Sequence, residues 1–229
     1  MCVNILMLAS SIESVGKKDT KFCPSLAEYK GSSVLETVIA NTNNINKKSY
    51  TLTGLESDLK SFKLDNILSI LLPDANIVST TSRTAGSLCT ALLAASKLSQ
   101  DDELLIISMN ELVDIDYSDV LINFRDNDYT GGVITFDSIN PRYSFAKLEE
   151  KIVTEISQYD PISKDATTGS FWFRTTRDFV EVAKLSILKG VNCNGSYFIA
   201  PVYNELILSN NCVGAFEIQN HKYFPLKDE

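Results

Sequence analysis

Apolar positions along this chain follow two spacings, and their alternation sets the expected fold. Leu104 to Ile107 is an unbroken apolar run too short for a typical helix, the pattern of a strand buried on both faces, and Asn4 to Leu8, within the short and largely apolar stretch Val3 to Leu8, reads as a first strand. Tyr50 to Leu52 and Ile77-Val78 read as shorter strands. Between them the spacing is helical. Val34 to Ile39 carries Glu36 in its first turns, and Ser57 to Leu72 places Leu59, Phe62, Ile67, Ile70 and Leu71 at roughly helical intervals before Pro73 ends it. Thr84 to Leu98 sets Leu88, Ala91, Leu92, Ala95 and Leu98 on one face. Its first residues, Thr84, Ala85, Gly86 and Ser87, are small and are expected to leave backbone N–H groups open to a ligand. Strand then helix, repeated, is the order of a doubly wound α/β half.

Beyond Tyr117 the pattern changes. Val133 to Phe136 follows Gly131-Gly132 as a strand, and Tyr143 to Leu148 with Ile152 to Ile156 reads as a hairpin. Ser170 to Phe173 is an aromatic strand, Phe179 to Leu188 a helix stopped by Gly190, Val202 to Leu208 a short helix after Pro201, and Val213 to Ile218 a last strand. With no repeat, low-complexity tract or linker, residues 1–229 are expected to form one domain, with lobes at 1–116 and 117–229.

Charge and cysteine usage narrow the function classes. A net charge of -8 opposes a nucleic-acid groove or an anionic membrane surface. No apolar run approaches the ~20 residues that span a bilayer. The five cysteines are scattered without a CxxC pair, which suggests a reducing, cytoplasmic setting and no zinc site. His221 is the only histidine, so histidine-based nucleophilic catalysis is not expected. Ligands of open α/β sheets lie beyond the carboxyl ends of the strands, which draws attention to Ser108, Asn110, Glu111, Asp114 and Asp116 after the Leu104–Ile107 run.

The blocks TAGSLCTALLAASKL, DDELLIISMNELVDID, GGVITFDSINPRYSFAKL, DPISKDATTGSFWF with RDFV, and NGSYFIAPVYNELIL resemble, in order and spacing, the core of sugar-phosphate nucleotidyltransferases of the surface-polysaccharide type. The resemblance implies a Rossmann-like fold: a central, mostly parallel mixed sheet flanked by helices, with an antiparallel extension on the substrate side. It also implies an ancestral reaction in which a nucleoside triphosphate and a sugar phosphate give an activated product and pyrophosphate. The nucleotide-side positions carried over are Ala9, Ser10, Thr84, Gly86 and Asn110; those on the substrate side are Ser144, Gln158, Tyr159, Thr168, Gly169 and Ser196.

The machinery of that reaction is altered here. Two approaching phosphates need Mg²⁺, Lys or Arg to offset their charge. Where the family reads AGxGSRF and then PKPL, this chain has Ile12 for a glycine, Ser14 for the arginine and Pro24 for the lysine, with Glu13 adding negative charge. Asn110 stands where an aspartate binds Mg²⁺, Gln158-Tyr159 replaces an EK pair, and Ser196 stands for a glutamate. The expectation is a degenerate enzyme with no intact catalytic set and no cofactor. It would bind a nucleotide or sugar-phosphate ligand, a partner enzyme of polysaccharide biosynthesis, or a second copy of itself. Two alternatives stay open. One is an active Mg²⁺-dependent transferase in which Glu111 and the Lys17, Lys18 and Lys21 cluster substitute. The other is a glycosyltransferase using Asp114-Ile115-Asp116 as an acidic metal motif.

Overall fold

The computed structural model describes residues 2–10 and 22–226, together with the backbone of 12, 13 and 21. The strands are β1 (Val3–Leu8), β2 (Ile12–Glu13), β3 (Lys21–Phe22), β4 (Glu28–Tyr29) and β5 (Ser32–Ser33), then β6 (Lys48–Leu55), β7 (Asn76–Thr80), β8 (Glu103–Ser108) and β9 (Glu111–Val113). They continue with β10 (Gly131–Asp137), β11 (Ser144–Glu149), β12 (Ile152–Gln158), β13 (Asp165–Phe173), β14 (Val213–Glu217) and β15 (Tyr223–Pro225). The α-helices are α1 (Val34–Asn41), α2 (Glu56–Ser61), α3 (Leu64–Leu71), α4 (Ser87–Ala95), α5 (Tyr117–Asp126), α6 (Thr176–Leu188) and α7 (Tyr203–Leu208).

All of β1 is buried, and it divides the core. Val3, Ile5 and Met7 face one apolar cluster with α1 to α3 and α5, while Leu6 and Leu8 face another with α4, α6 and α7. β8 and β6 flank β1 in parallel, and β7 lies outside β6. The Leu104–Ile107 strand is therefore interior and α4 packs on the sheet, as expected, but β7 reaches β1 only through β6.

The expectation of a mostly parallel sheet is corrected. The sheet order is β10-β14-β12-β11-β13-β8-β1-β6-β7, and only its β8-β1-β6-β7 half is uniformly parallel. β13 runs antiparallel to β8 and pairs on with β10, so β10, β14, β12, β11 and β13 close into a five-stranded ring. The long β13 makes this possible by serving β8, β10 and β11 at once, aided by a register shift between Val133 and Thr135 in β10.

Other differences have local causes. The 57–72 segment is two helices, because Leu59 and Leu64 are five residues apart and cannot share one helical face. A left-handed Lys63 (φ 54°) turns the chain so that Leu64 and Leu68 reach the core, leaving Ile70 79% exposed. α4 begins only at Ser87, after Gly86. α5 was not anticipated, although Tyr117, Val120, Leu121 and Phe124 have helical spacing and are buried.

The rim of the ring carries a testable electrostatic feature. Burial, then the carboxylates of Glu217 and Asp137, raise the carboxyl of Asp165 above its ordinary 3.8. A carboxyl raised in the folded state prefers to be protonated there, so its ionisation costs stability as pH climbs through that range. Asp165→Asn should raise the melting temperature at pH 7. That gain should fade toward about pH 3, where both states are protonated; paired thermal unfolding curves check it.

Candidate functional site

β1 and β8 run parallel with Leu8 opposite Ser108, so the chain leaves both strands on the same side of the sheet. Ala9 and Ser10 follow one; Asn110 and Glu111 follow the other. β13 passes beside the end of β8 and brings Thr168 and Gly169 alongside, while Ser144 and Gln158 face each other across the β11–β12 hairpin. These residues line one cleft of about 410 Å³, within the range of small-molecule sites.

Of the residues singled out from sequence, Ala9, Ser10, Asn110, Glu111, Ser144, Gln158, Tyr159, Thr168 and Gly169 meet in this cleft. Thr84 lines a neighbouring cavity of about 210 Å³, which Ala9 and Ser10 share. Gly86 caps α4, and Ser196 lies away from both cavities in a tight turn with Cys193. Of the altered loop at residues 9–15, residues 11, 14 and 15 and the side chains of Ile12 and Glu13 lie outside the described residues, as do Lys17, Lys18 and the side chain of Lys21. Arg142, Tyr143 and Phe198 join the cleft without having been anticipated, since loop packing and not strand position brings them in.

The cleft's polar groups are largely held in place. Ser10 Oγ donates to Asn110 Oδ1 at 2.5 Å, and Ser144 Oγ donates to Gln158 Oε1 at 2.7 Å. Glu111 is tied by both oxygens: Oε1 accepts from the Gly169 backbone N–H, and Oε2 accepts from the Tyr223 hydroxyl at 2.9 Å. Burial, then the Glu111 carboxylate, push the Tyr223 phenol far above its ordinary range, so it remains a donor. Gly169 is needed for the approach, because a Cβ there would stand 2.6 Å from Ser108 Cβ. β15 pairs with β9 and thereby delivers Tyr223 beneath the cleft.

Also in the lining, Arg142 Nη2 donates to Tyr143 Oη at 2.5 Å, and the guanidinium lies 4.8 Å from that ring's centre. Tyr159 sits at the mouth with φ 67°, a left-handed conformation that is uncommon for a bulky side chain. Its ring packs edge-on against Phe198 at 5.3 Å.

Three expectations are revised by this geometry. The α4 N-terminus is not open throughout, because the Tyr197 carbonyl accepts from Leu88 N–H at 3.1 Å. Asp116 caps α5 by accepting from Ser118 N–H, and Asp114 binds Lys30 at 2.9 Å, so the Asp114-Ile115-Asp116 pair serves fold contacts. Glu111 is committed to Gly169 and Tyr223 rather than held in reserve beside Asn110. Mg²⁺ favours carboxylates and phosphate oxygens in octahedral array. The donor at the family's metal position fits it poorly, because Asn110 offers one neutral amide oxygen that already accepts from Ser10.

No protein-family model matches the chain, and no curated protein matches it. Solved structures do. The nucleoside-diphosphate-sugar pyrophosphorylase of Vibrio cholerae RC9 is 18% identical, covers 97% of this chain and 95% of its own, and superposes with a TM-score of 0.76. A Bacillus anthracis protein assigned as a glucose-1-phosphate thymidylyltransferase, crystallised with sucrose, is 15% identical over 95% of this chain and 87% of its own, with a TM-score of 0.68. The inositol-1-phosphate CTP transferase of T. maritima is 14% identical over 95% and 86%, with a TM-score of 0.67. The chain has the fold of these nucleotide-transferring enzymes. No helix among its described residues is long and apolar enough to cross a membrane.

Proposed function

We propose that this protein is a catalytically degenerate nucleotidyltransferase, acting as a binding subunit in nucleotide-sugar or surface-polysaccharide biosynthesis. Residues 1–116, built on the parallel Rossmann-like half of the sheet, form its nucleotide side, and residues 117–229 its acceptor side. The observation that carries this reading is the state of the Asn110–Glu111 pair. Asn110 is a neutral amide bonded to Ser10, and Glu111 is spent on Gly169 and Tyr223. Neither offers an uncommitted carboxylate to the charge of two reacting phosphates, and removing one such electrostatic group commonly costs about 3–4 kcal/mol in the barrier.

What the cleft does supply, beside the Arg142 guanidinium, is neutral hydrogen bonding from Ser10, Asn110, Ser144, Gln158 and Thr168, together with the aromatic pair Tyr159–Phe198. That combination suits a polyhydroxylated, sugar-type ligand: hydroxyls and amides match sugar hydroxyls, and ring faces match apolar C–H surfaces.

A pyrophosphate-release assay over the nucleoside triphosphates and common sugar phosphates, with Mg²⁺ and Mn²⁺, should give no turnover above background. Asn110→Asp should make nucleotide affinity respond to Mg²⁺, which titration calorimetry reads directly. Turnover by the unaltered chain, slowed by Asn110→Asp, would overturn the proposal and establish a working site of different design.

A further inference from the structure

Among the described residues that line the main cleft, Arg142 is the one cation and Glu111 the one carboxylate. Arg142 is half-buried and is held at both ends. Its backbone N–H donates to Asn140 Oδ1 at 3.1 Å, while its guanidinium rests on the Tyr143 hydroxyl and ring. Tyr143 is fixed in turn, edge-on to Phe136 at 5.0 Å and to Tyr223 at 5.7 Å. Tyr223 carries the hydroxyl that donates to Glu111, so both charged groups of the lining are set by one aromatic cluster. A guanidinium holds five N–H donors in a rigid planar fork, more than the bond to Tyr143 uses, and two parallel bonds from that fork match a carboxylate. Ser144 and Gln158, the neutral pair of the hairpin, line the same cleft.

We infer that the cleft takes an acidic sugar, a polyol bearing a single carboxylate, with that carboxylate on Arg142 and the hydroxyls on the neutral groups around Ser144 and Gln158. This rests on the sugar-binding reading of the cleft. Charge selects carboxylate over phosphate. A phosphate monoester carries about -1.5 to -2 at pH 7, whereas a carboxylate carries a single charge. Arg142 matches a monoanion one for one. A dianion would bring a second negative charge out of water into a cleft that already holds the Glu111 carboxylate, and that desolvation would go uncompensated.

Calorimetric titration of the intact chain at pH 7 tests this with methyl glycosides of glucose, galactose and mannose. Each sugar is offered in three forms that differ only at the sixth carbon: neutral alcohol, carboxylate (the uronate) and 6-phosphate. In at least one set the uronate should bind tenfold or more tightly than the neutral form, and more tightly than the phosphate. Arg142→Gln keeps an amide donor for the Tyr143 hydroxyl, and circular dichroism verifies its folding. It should bring the uronate-to-neutral ratio close to one, while Arg142→Lys, with the charge but not the fork, should retain part of the gain. A neutral glycoside that binds while its uronate binds no better would overturn the acidic-sugar assignment and leave the sugar-binding reading standing. A phosphate that binds more tightly than the uronate would overturn it as well, and neither comparison needs a variant. A uronate gain untouched by Arg142→Gln would also overturn it, because the carboxylate would then lie elsewhere. If no glycoside of any form binds, the sugar reading fails, and the inference built on it fails too.

Discussion

Glu103→Ala should destabilise the fold by about 3 kcal/mol, the cost of opening a buried, charge-assisted network. Glu103 is only 6% exposed at the start of β8, at the end of the sheet away from the cleft. Its carboxylate accepts from Arg125 Nε at 2.9 Å and Nη2 at 2.9 Å, and from Trp172 Nε1 at 2.9 Å. These bonds join β8, α5 and β13, so the loss touches the junction of the parallel half and the ring. Trp172 is 1% exposed and would be left with an unsatisfied indole N–H. Glu103→Gln keeps an acceptor for the indole while losing the charge, and should cost less than half as much. Urea unfolding followed by tryptophan fluorescence is a direct readout, since Trp172 is the chain's single tryptophan. Equal stability of all three chains would show that the network contributes nothing net.

Gly86→Ala should be at least as damaging, and its effect should reach the cleft. Gly86 has φ 116°, and a Cβ there would stand 2.3 Å from the Tyr197 carbonyl oxygen, which is backbone and cannot swing aside. That carbonyl accepts from Leu88 N–H, and Tyr197 N–H donates to the Ala85 carbonyl at 2.8 Å. The substitution must break this two-sided clamp, and a disrupted special backbone site of this kind falls in the range of about 3 kcal/mol or more. Phe198, Ile199 and Ala200 follow Tyr197 directly and line the cleft, so the wall moves with the clamp. Glycoside affinity should fall by tenfold or more even at temperatures where the variant remains folded. A variant with unchanged affinity would mean that the 197–200 segment is held by its other contacts.

The parallel half was legible because buried strands leave a clear trace: Leu104–Ile107 is apolar at every step, and Val3–Leu8 at every step but Asn4. The ring was not, because closing it depends on β13 pairing with β8, β10 and β11 along its length, and no local pattern states which partners a strand will take. α5 was hidden by its neighbours. Asp114 and Asp116 drew attention as acids beyond a strand end, although Asp116 is there to cap the helix. In the cleft, the rule that ligands gather beyond strand ends located Asn110 and Glu111, and the family resemblance supplied Ala9 and Ser10. It was silent on Arg142, Tyr143 and Phe198, which loops carry in. Nothing local to Glu111 indicates that its carboxylate is taken, since the group that takes it is Tyr223, 112 positions further on.

That separation also orders events during synthesis. A ribosome extends the chain from its N-terminus, and the early part can fold as it emerges. β1, β6, β7 and β8 are all available once residue 108 is made, and the cleft's strand-end residues are in place soon afterwards. β9 then waits with an unpaired edge, and Glu111 lacks its phenol donor, until Tyr223 to Pro225 arrive. The floor of the cleft is therefore among the last parts to be completed. A ligand that requires that floor recognises only chains translated past β15, so binding competence doubles as a record that the whole fold was reached.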